Sequence, residues 1–327
     1  MSLLNNIKRQ AKNSTLGHKM STLRRYQKDP KFLINCALTI FRSKKIRTAV
    51  VEGICDKRFL SQWIPAGAAV RFDGFDGKPL VELVYENSLL NPYSNFEFLY
   101  FFADVDFDVI SQKPLYKHPS FVYNAYCFEE NRLHYNDLET YLINSNALSK
   151  VLVNLDIDAS VAQDLRDRLE RASRLIGSLR AADILLQRAK NLRSSILNGL
   201  EIRAFFDPRD IAFDEKALYN ALPRWSNYRT YIDDLIKAAK CLDREWPSGW
   251  SLSRGHDLTE MLALHLEQRG QKGITAVKLE LMLRLACEFA DFQRSPMGRR
   301  LVASGGMVAM QLSCESQPCV AGAEDAA

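Results

Sequence analysis

The sequence contains no apolar run approaching the roughly 18 residues that a membrane span requires. Its first residues show neither the apolar stretch nor the small-residue cleavage site of a signal peptide. No Cys-x-x-Cys pair occurs. The seven cysteines, at 36, 55, 127, 241, 287, 314 and 319, are odd in number and scattered, which argues against a zinc site or a disulfide framework. There is no GxxxxGK[ST] phosphate loop, so any ATPase would have to be a partner. Histidine is scarce, and His18, His118, His134 and His265 have no metal-set spacing. No internal repeat is found. These absences leave a cytoplasmic, non-membrane protein with reduced thiols as the expectation. What is present is ordinary for a globular chain of 327 residues: 47% hydrophobic and 25% charged, enough for one large domain or two medium ones.

Charge is distributed unevenly. Residues 1–47 hold twelve Lys or Arg and one acid, Asp29, for a net +11; the remainder holds 32 basic and 38 acidic residues, a net −6. A basic arm beside acidic chemistry suits a polyanion such as nucleic acid. The plainer alternative is a solvated arm, or one docked on an acidic protein.

Two apolar runs end abruptly in acids. Residues 48–51, Thr-Ala-Val-Val, lead into Glu52, Gly53 and, three residues on, Asp56. Residues 98–103, Phe-Leu-Tyr-Phe-Phe-Ala, lead into Asp104, Asp106 and Asp108. Both runs read as buried strands. In an open α/β sheet, ligands gather outside the carboxyl ends of parallel strands. If these strands are parallel neighbours, three or four carboxylates meet at one edge, with nothing nearby in sequence basic enough to neutralise them. An all-oxygen set of that kind calls for Mg2+ or Mn2+. Gly53 is expected to let the backbone turn sharply so that Glu52 faces the edge. Asp56 is either a helix cap or a supporting contact. Asp108 shares a face with Asp106 if the strand continues, and otherwise caps the next element.

Around these runs the pattern alternates. A helix is predicted over 31–42, a strand over 48–52, a helix from Asp56 to Trp63, and a strand near Ala68–Phe72. Val81–Tyr85 reads as a strand or part of a hairpin. Strands are predicted next over 97–103 and Phe121–Phe128, then a helix capped by Asn136 or Asp137. Such alternation predicts an α/β fold with a mainly parallel sheet. Beyond residue 150 the pattern is helical. Residues 159–195 form a long amphipathic stretch with an arginine-rich face, readable as solvated, as a nucleic-acid contact or as a coiled-coil seam. Further helices are predicted over 214–222, 226–241, 257–268 and 274–292. Asp257 and Glu260 have capping-box spacing, and Gly255 and His256 at that helix start could receive a phosphate. The expected organisation is a basic arm (1–30), an α/β domain (31–150), a helical region (151–303) for dimerisation or docking, and a disordered tail (304–327).

The set Val51-Glu52-Gly53-x-x-Asp56-x-x-Phe59, Asp104-Val-Asp106-Phe-Asp108 and Asp137-Leu-Glu139 resembles the TOPRIM (topoisomerase–primase) domain. It is most similar to a TOPRIM-like bacterial defence family that includes the toxin subunit of the PARIS anti-phage system. The likeness to overcoming-lysogenization-defect nucleases is more distant. The resemblance covers residues 30–145 and implies a Mg2+-dependent nuclease acting on tRNA or DNA, with a homodimer and a partner ATPase. It makes Glu52, Asp104 and Asp106 the catalytic and metal-binding acids, with Asp108 and Glu139 as further metal ligands. Lys44, Lys45, Arg47, Lys57, Arg58 and His256 are the expected substrate contacts. Two rivals stand beside it: a non-catalytic scaffold of the same fold, and a haloacid-dehalogenase-like phosphatase built on Asp104-x-Asp106. Against the phosphatase, a Glu-bearing strand precedes the motif and Phe107-Asp108 comes directly after it.

Overall fold

A computed structural model describes residues 28–64, 68–94, 97–124, 135–247 and 249–303. The basic arm up to residue 27, the tail from 304 and positions 125–128 of the last predicted strand lie outside the described residues. The architecture is α/β: four parallel strands flanked by helices, then a helical region.

The strands are β1 (Arg47–Val51), β2 (Val70–Gly74), β3 (Leu99–Ala103) and β4 (Phe121–Tyr123), in the order β2-β1-β3-β4. β1 and β3 are the inner pair, with Thr48 opposite Leu99 and Val51 opposite Phe102. That register brings the residues after Val51 and after Ala103 to one edge. Strand alternation sends Val50, Leu99, Phe101, Ala103, Phe121 and Tyr123 to one face. Ala49, Val51, Tyr100, Phe102 and Val122 go to the other.

The first face is covered by α1 (Pro30–Lys44) and α3 (Lys78–Ser88). Asp29 caps α1 by accepting from the Lys31 amide, and Leu33, Ile34, Ala37 and Leu38 fall on its buried side. The helix α3 corrects the strand expected at Val81–Tyr85. A short apolar run fits both periods. Here Pro79 sits in a first helical turn and Leu80, Val81, Val84 and Tyr85 are buried at helical spacing. Tyr85 packs edge-on against Phe101 and Phe121.

The second face receives α2 (Ile54–Ser61) and then the helical region. Its helices are α4 (Leu138–Asn144), α5 (Ala147–Asn154), α6 (Ala162–Ala189), α7 (Glu215–Ala221), α8 (Ile232–Glu245), α9 (Gly255–Gln268), α10 (Ala276–Ala286), α11 (Phe289–Arg294) and α12 (Pro296–Ala303). A short hairpin, β5 (Phe206–Asp207) with β6 (Ala212–Phe213), precedes α7. The predicted helix 274–292 is broken between α10 and α11, where Cys287 and Glu288 are extended. The coiled-coil reading of 159–195 does not survive. Leu165, Leu169, Ile176 and Leu179 of α6 are buried in the chain's own core. Trp63, just past α2, stacks on Phe292 of α11 at 5.1 Å, so apolar packing runs without a break from the sheet into the last helices.

Candidate active site at the carboxyl edge of the sheet

Three strand ends contribute to one polar edge. Glu52 comes directly after β1, Asp104 after β3 and Asn124 after β4. The Asp104 amide donates to Glu52 Oε1 at 2.7 Å, which ties the two inner strand ends together. Asn124 Nδ2 donates to Asp104 Oδ1 at 2.8 Å and reaches Asp56 Oδ1 at 3.4 Å. Asp56 also accepts from the Gly53 amide at 2.9 Å, so it both secures the start of α2 and joins the acidic group. Gly53 itself is extended (φ −149°), a conformation open to any residue, and the sharp turn expected of it is not made. The reversal occurs at Asp106, which has a left-handed backbone (φ 51°) and donates its amide to Asn136 O at 2.8 Å. Aspartate tolerates this region better than most residues, yet such a backbone is held only where its surroundings fix it.

The electrostatics are dominated by burial and like charge. Desolvation, and after it the nearby charges of Asp106 and Asp56, pushes Glu52 up to about 8 against the opposing hydrogen bond from Asp104. Asp104 is held well above the usual carboxylate range by burial and then by Glu52, Asp56, Asp137 and Asp106. Asp56 and Asp137 are raised as well, with burial the first cause in both.

The sequence suggested that no cation lay near enough to neutralise this edge, and the structure corrects that. Lys78, at the first turn of α3, is buried and places Nζ 2.6 Å from Asp108, 3.2 Å from Asp106 and 2.9 Å from Val105 O. Although burial alone would lower it, the carboxylates raise its ammonium to about 12. Lys113 lies 3.5 Å from Asp108 on the other side. Asp108 is thus turned toward two lysines.

Glu139 is also drawn elsewhere. It is buried beside Arg284 of α10, at 3.6 Å, and is pushed up to about 7 by burial and by Asp137. Asp137 caps α4 through the Thr140 amide at 2.9 Å and accepts the Gly255 amide of α9 at 2.6 Å. A Cβ on Gly255 would lie 2.4 Å from Asp137 Oδ1, so only glycine permits this approach. Asp257 does not form the expected capping box. It holds Arg180 of α6 in a two-pronged pair at 2.7 and 2.8 Å, while Glu260 pairs with Arg203. His256 is bonded to Glu280 at 2.9 Å.

Of the expected substrate contacts, Lys44, Lys45 and Arg47 sit at the amino end of β1. They are about 16 Å or more from Glu52 at the rise of an extended strand. Arg47 instead donates to the Tyr100 hydroxyl at 2.8 Å. Lys57 is on the acidic edge's side of the sheet, 5.9 Å over the Phe75 ring, and Arg58 is exposed. The cations that do approach the acids come from elsewhere. A cavity of about 380 Å³ is lined by Asp106, Asp108 and Asp137 together with Arg180 and Arg188 of α6 and Arg254. Arg188 also donates to Ser111 O at 3.0 Å, which fixes α6 to the loop carrying the acids. Arg180 and Arg188 belong to the face that looked solvated; helical period alone cannot tell which cations turn back onto a loop 77 residues away.

The donor chemistry fits a hard divalent cation: Glu52, Asp104 and Asp106 offer only oxygen, and their mutual repulsion is what a cation would relieve. The present side-chain directions do not form a ready cage. Among the described residues no three His, Cys, Asp or Glu side chains converge as a metal-holding group, because Glu52, Asp106 and Asp108 are engaged by the Asp104 amide and by Lys78. Among the described residues, no helix is long and apolar enough to cross a membrane. Compared with known proteins, the chain matches no family model, no curated protein and no solved structure, and it is the geometry of this edge that bears on function.

Proposed function

We propose that the carboxyl edge is the active site of a Mg2+- or Mn2+-dependent nuclease that hydrolyses phosphodiester bonds of tRNA or DNA. One observation carries this reading. Glu52 and Asp104 are joined across adjacent parallel strands, in a group of carboxylates whose ionisation is opposed first by burial and then by one another's charge. A bound divalent cation would supply positive charge for the attacking and leaving oxygens of the phosphoryl group. Glu52, Asp104 and Asp106 would hold it. Burial holds the Glu52 carboxyl up at about 8 and so largely protonated at neutral pH; a bound cation would favour its ionised form, which could then take a proton from an attacking water. Arg180, Arg188 and Arg254 line the adjoining cavity and can receive phosphate oxygens. In a defence effector, a partner ATPase and a second copy of the chain would set when this edge is exposed to substrate.

The test is incubation of the full chain with tRNA, single-stranded DNA and duplex DNA, in Mg2+, Mn2+ or EDTA. Glu52→Gln and Asp104→Asn are run alongside. Cleavage should disappear in EDTA and fall at least about 100-fold in either variant, the scale of removing a general base or a charge-stabilising group. Cleavage that survives EDTA or both substitutions sinks the proposal. The second reading is a non-catalytic scaffold, favoured by Lys78 already neutralising Asp106 and Asp108. Nucleic-acid binding without cleavage under every metal condition would select it.

A further inference from the structure

A second cavity, of about 840 Å³, lies between α6, α8, the start of α7 and the β5–β6 hairpin. Its volume is within the range of about 300–1,000 Å³ typical of small-molecule sites. Arg171 lines this cavity and Arg180 the acidic one. Nine residues apart on one helix, they are half a turn out of phase, so the two cavities open on opposite sides of α6.

The floor is apolar and partly aromatic, with Leu175, Ile211, Phe213 and Tyr219. The walls carry five cations and three carboxylates. Most of these are already matched. Arg174 holds Asp243 at 2.8 Å and Glu170 at 3.2 Å. Lys240 lies 3.7 Å from Glu215 and 5.1 Å over the Tyr219 ring. Arg168 is shared between Asp164 and the Arg209 carbonyl. Arg171 and Arg244 are exposed and have no carboxylate partner among the described residues; Arg244 donates only to the Lys240 carbonyl. Asp210 is the one wall acid in the same position. With Asp164 and Glu170 counted the charges balance, but the two unpaired guanidinium groups face a single unpaired acid, and guanidinium groups favour the paired oxygens of phosphate over a point anion. An apolar floor under a guanidinium rim suits a ligand that is a phosphate at one end and a flat ring at the other.

We propose that this cavity binds a nucleoside phosphate, with Arg171 and Arg244 on the phosphates and the base against Phe213 and Tyr219. The site is independent of the acidic edge and does not rest on the nuclease reading. The experiment is isothermal titration of the full chain with ATP, GTP and inorganic tripolyphosphate, in EDTA to silence the acidic edge. ATP or GTP should bind, and Arg171→Ala and Arg244→Ala should each weaken binding about 10-fold or more, while Asp104→Asn leaves it unchanged. Tyr219→Ala should weaken nucleotide binding and leave tripolyphosphate binding alone. Thermal melts confirm that each variant is folded; Arg171 and Arg244 are exposed. Absence of ATP and GTP binding overturns the proposal, as does binding indifferent to both arginine variants or abolished by Asp104→Asn. Tripolyphosphate binding as tightly as ATP, with no effect of Tyr219→Ala, overturns the nucleoside part and leaves a simple polyphosphate site.

Discussion

At the scale of single residues, the carboxyl edge depends on one lysine. Lys78 is the shared counter-ion of Asp106 and Asp108, and it is buried. Removing it leaves Asp108, which is 13% exposed, with Lys113 at 3.5 Å as its remaining cation, while the more exposed Asp106 can turn to water. Lys78→Met is therefore expected to cost about 3 kcal/mol in urea denaturation at neutral pH. Part of that loss should be recovered in millimolar Mg2+, because a cation can replace the ammonium. Stability equal to wild type without added metal would show that Asp106 and Asp108 are solvated well enough without Lys78. A second residue-scale prediction concerns His256 and Glu280. The hydrogen bond from Glu280 raises His256 to about 9, and the same pairing lowers Glu280 in spite of its burial. A histidine raised in the fold contributes stability that is fully present below its unfolded value, near 6.5, and lost as pH rises through about 9. The lowered glutamate contributes above its ordinary value and loses this as pH falls. The pair should thus stabilise most between about pH 5 and 6.5, and its contribution should fade from there to about pH 9. Melting curves of wild type and His256→Gln should lie furthest apart in that window and converge toward pH 10; a constant separation would contradict the pairing.

At the scale of elements, the packing of α6 turns on Gly177. A Cβ there would lie 1.5 Å from the Leu252 carbonyl oxygen, on the segment that leads into α9. Backbone cannot yield that distance without moving the helix. Gly177→Ala should cost about 3 kcal/mol or more, at the upper end of overpacking effects. Gly249→Ala, with nothing within 4 Å and no left-handed backbone, should be close to neutral. Equal melting temperatures for the two variants would refute this account of the α6 crossing. The same helix shows what the sequence made legible and what it did not. The strands ending in Glu52 and Asp104 were readable because β1 and β3 are inner strands, buried on both faces, and inner strands are written as unbroken apolar runs. The cap at Asp137 was readable because capping is local. Arg180, Arg188 and Lys78 were not readable as parts of the site, since their partners are far away in the chain and only the tertiary fold brings them together. Lys78 was further hidden because its helix, α3, looked like a strand.

At the scale of the whole molecule, the boundary near residue 150 that composition suggests coincides with no gap in packing. The sheet face formed by Ala49, Val51, Tyr100, Phe102 and Val122 belongs to the same apolar core as α6, α9, α10 and α11. Polar ties cross the boundary too. Asn136 Nδ2 reaches the carbonyls of Ser251 and Ser253, both at 2.8 Å. The Tyr141 hydroxyl donates to Asp291 O at 2.7 Å, and Asp137 receives the Gly255 amide. A fragment of residues 28–155 would keep the four strands and α1 to α5. It would expose Phe59, Leu60 and Trp63, along with buried polar groups that now have partners. A half-covered sheet of that size is poorly placed to fold alone, because the uncovered apolar face supplies none of its burial energy. The full chain should therefore melt in one cooperative transition, whereas the fragment should bind an apolar dye strongly and lose structure gradually on heating. Calorimetry and dye fluorescence read both outcomes. A fragment that melts cooperatively with no dye binding would mean that the helical region is a separable partner, and that Arg180, Arg188 and Arg254 are brought to the acids by docking and not by folding.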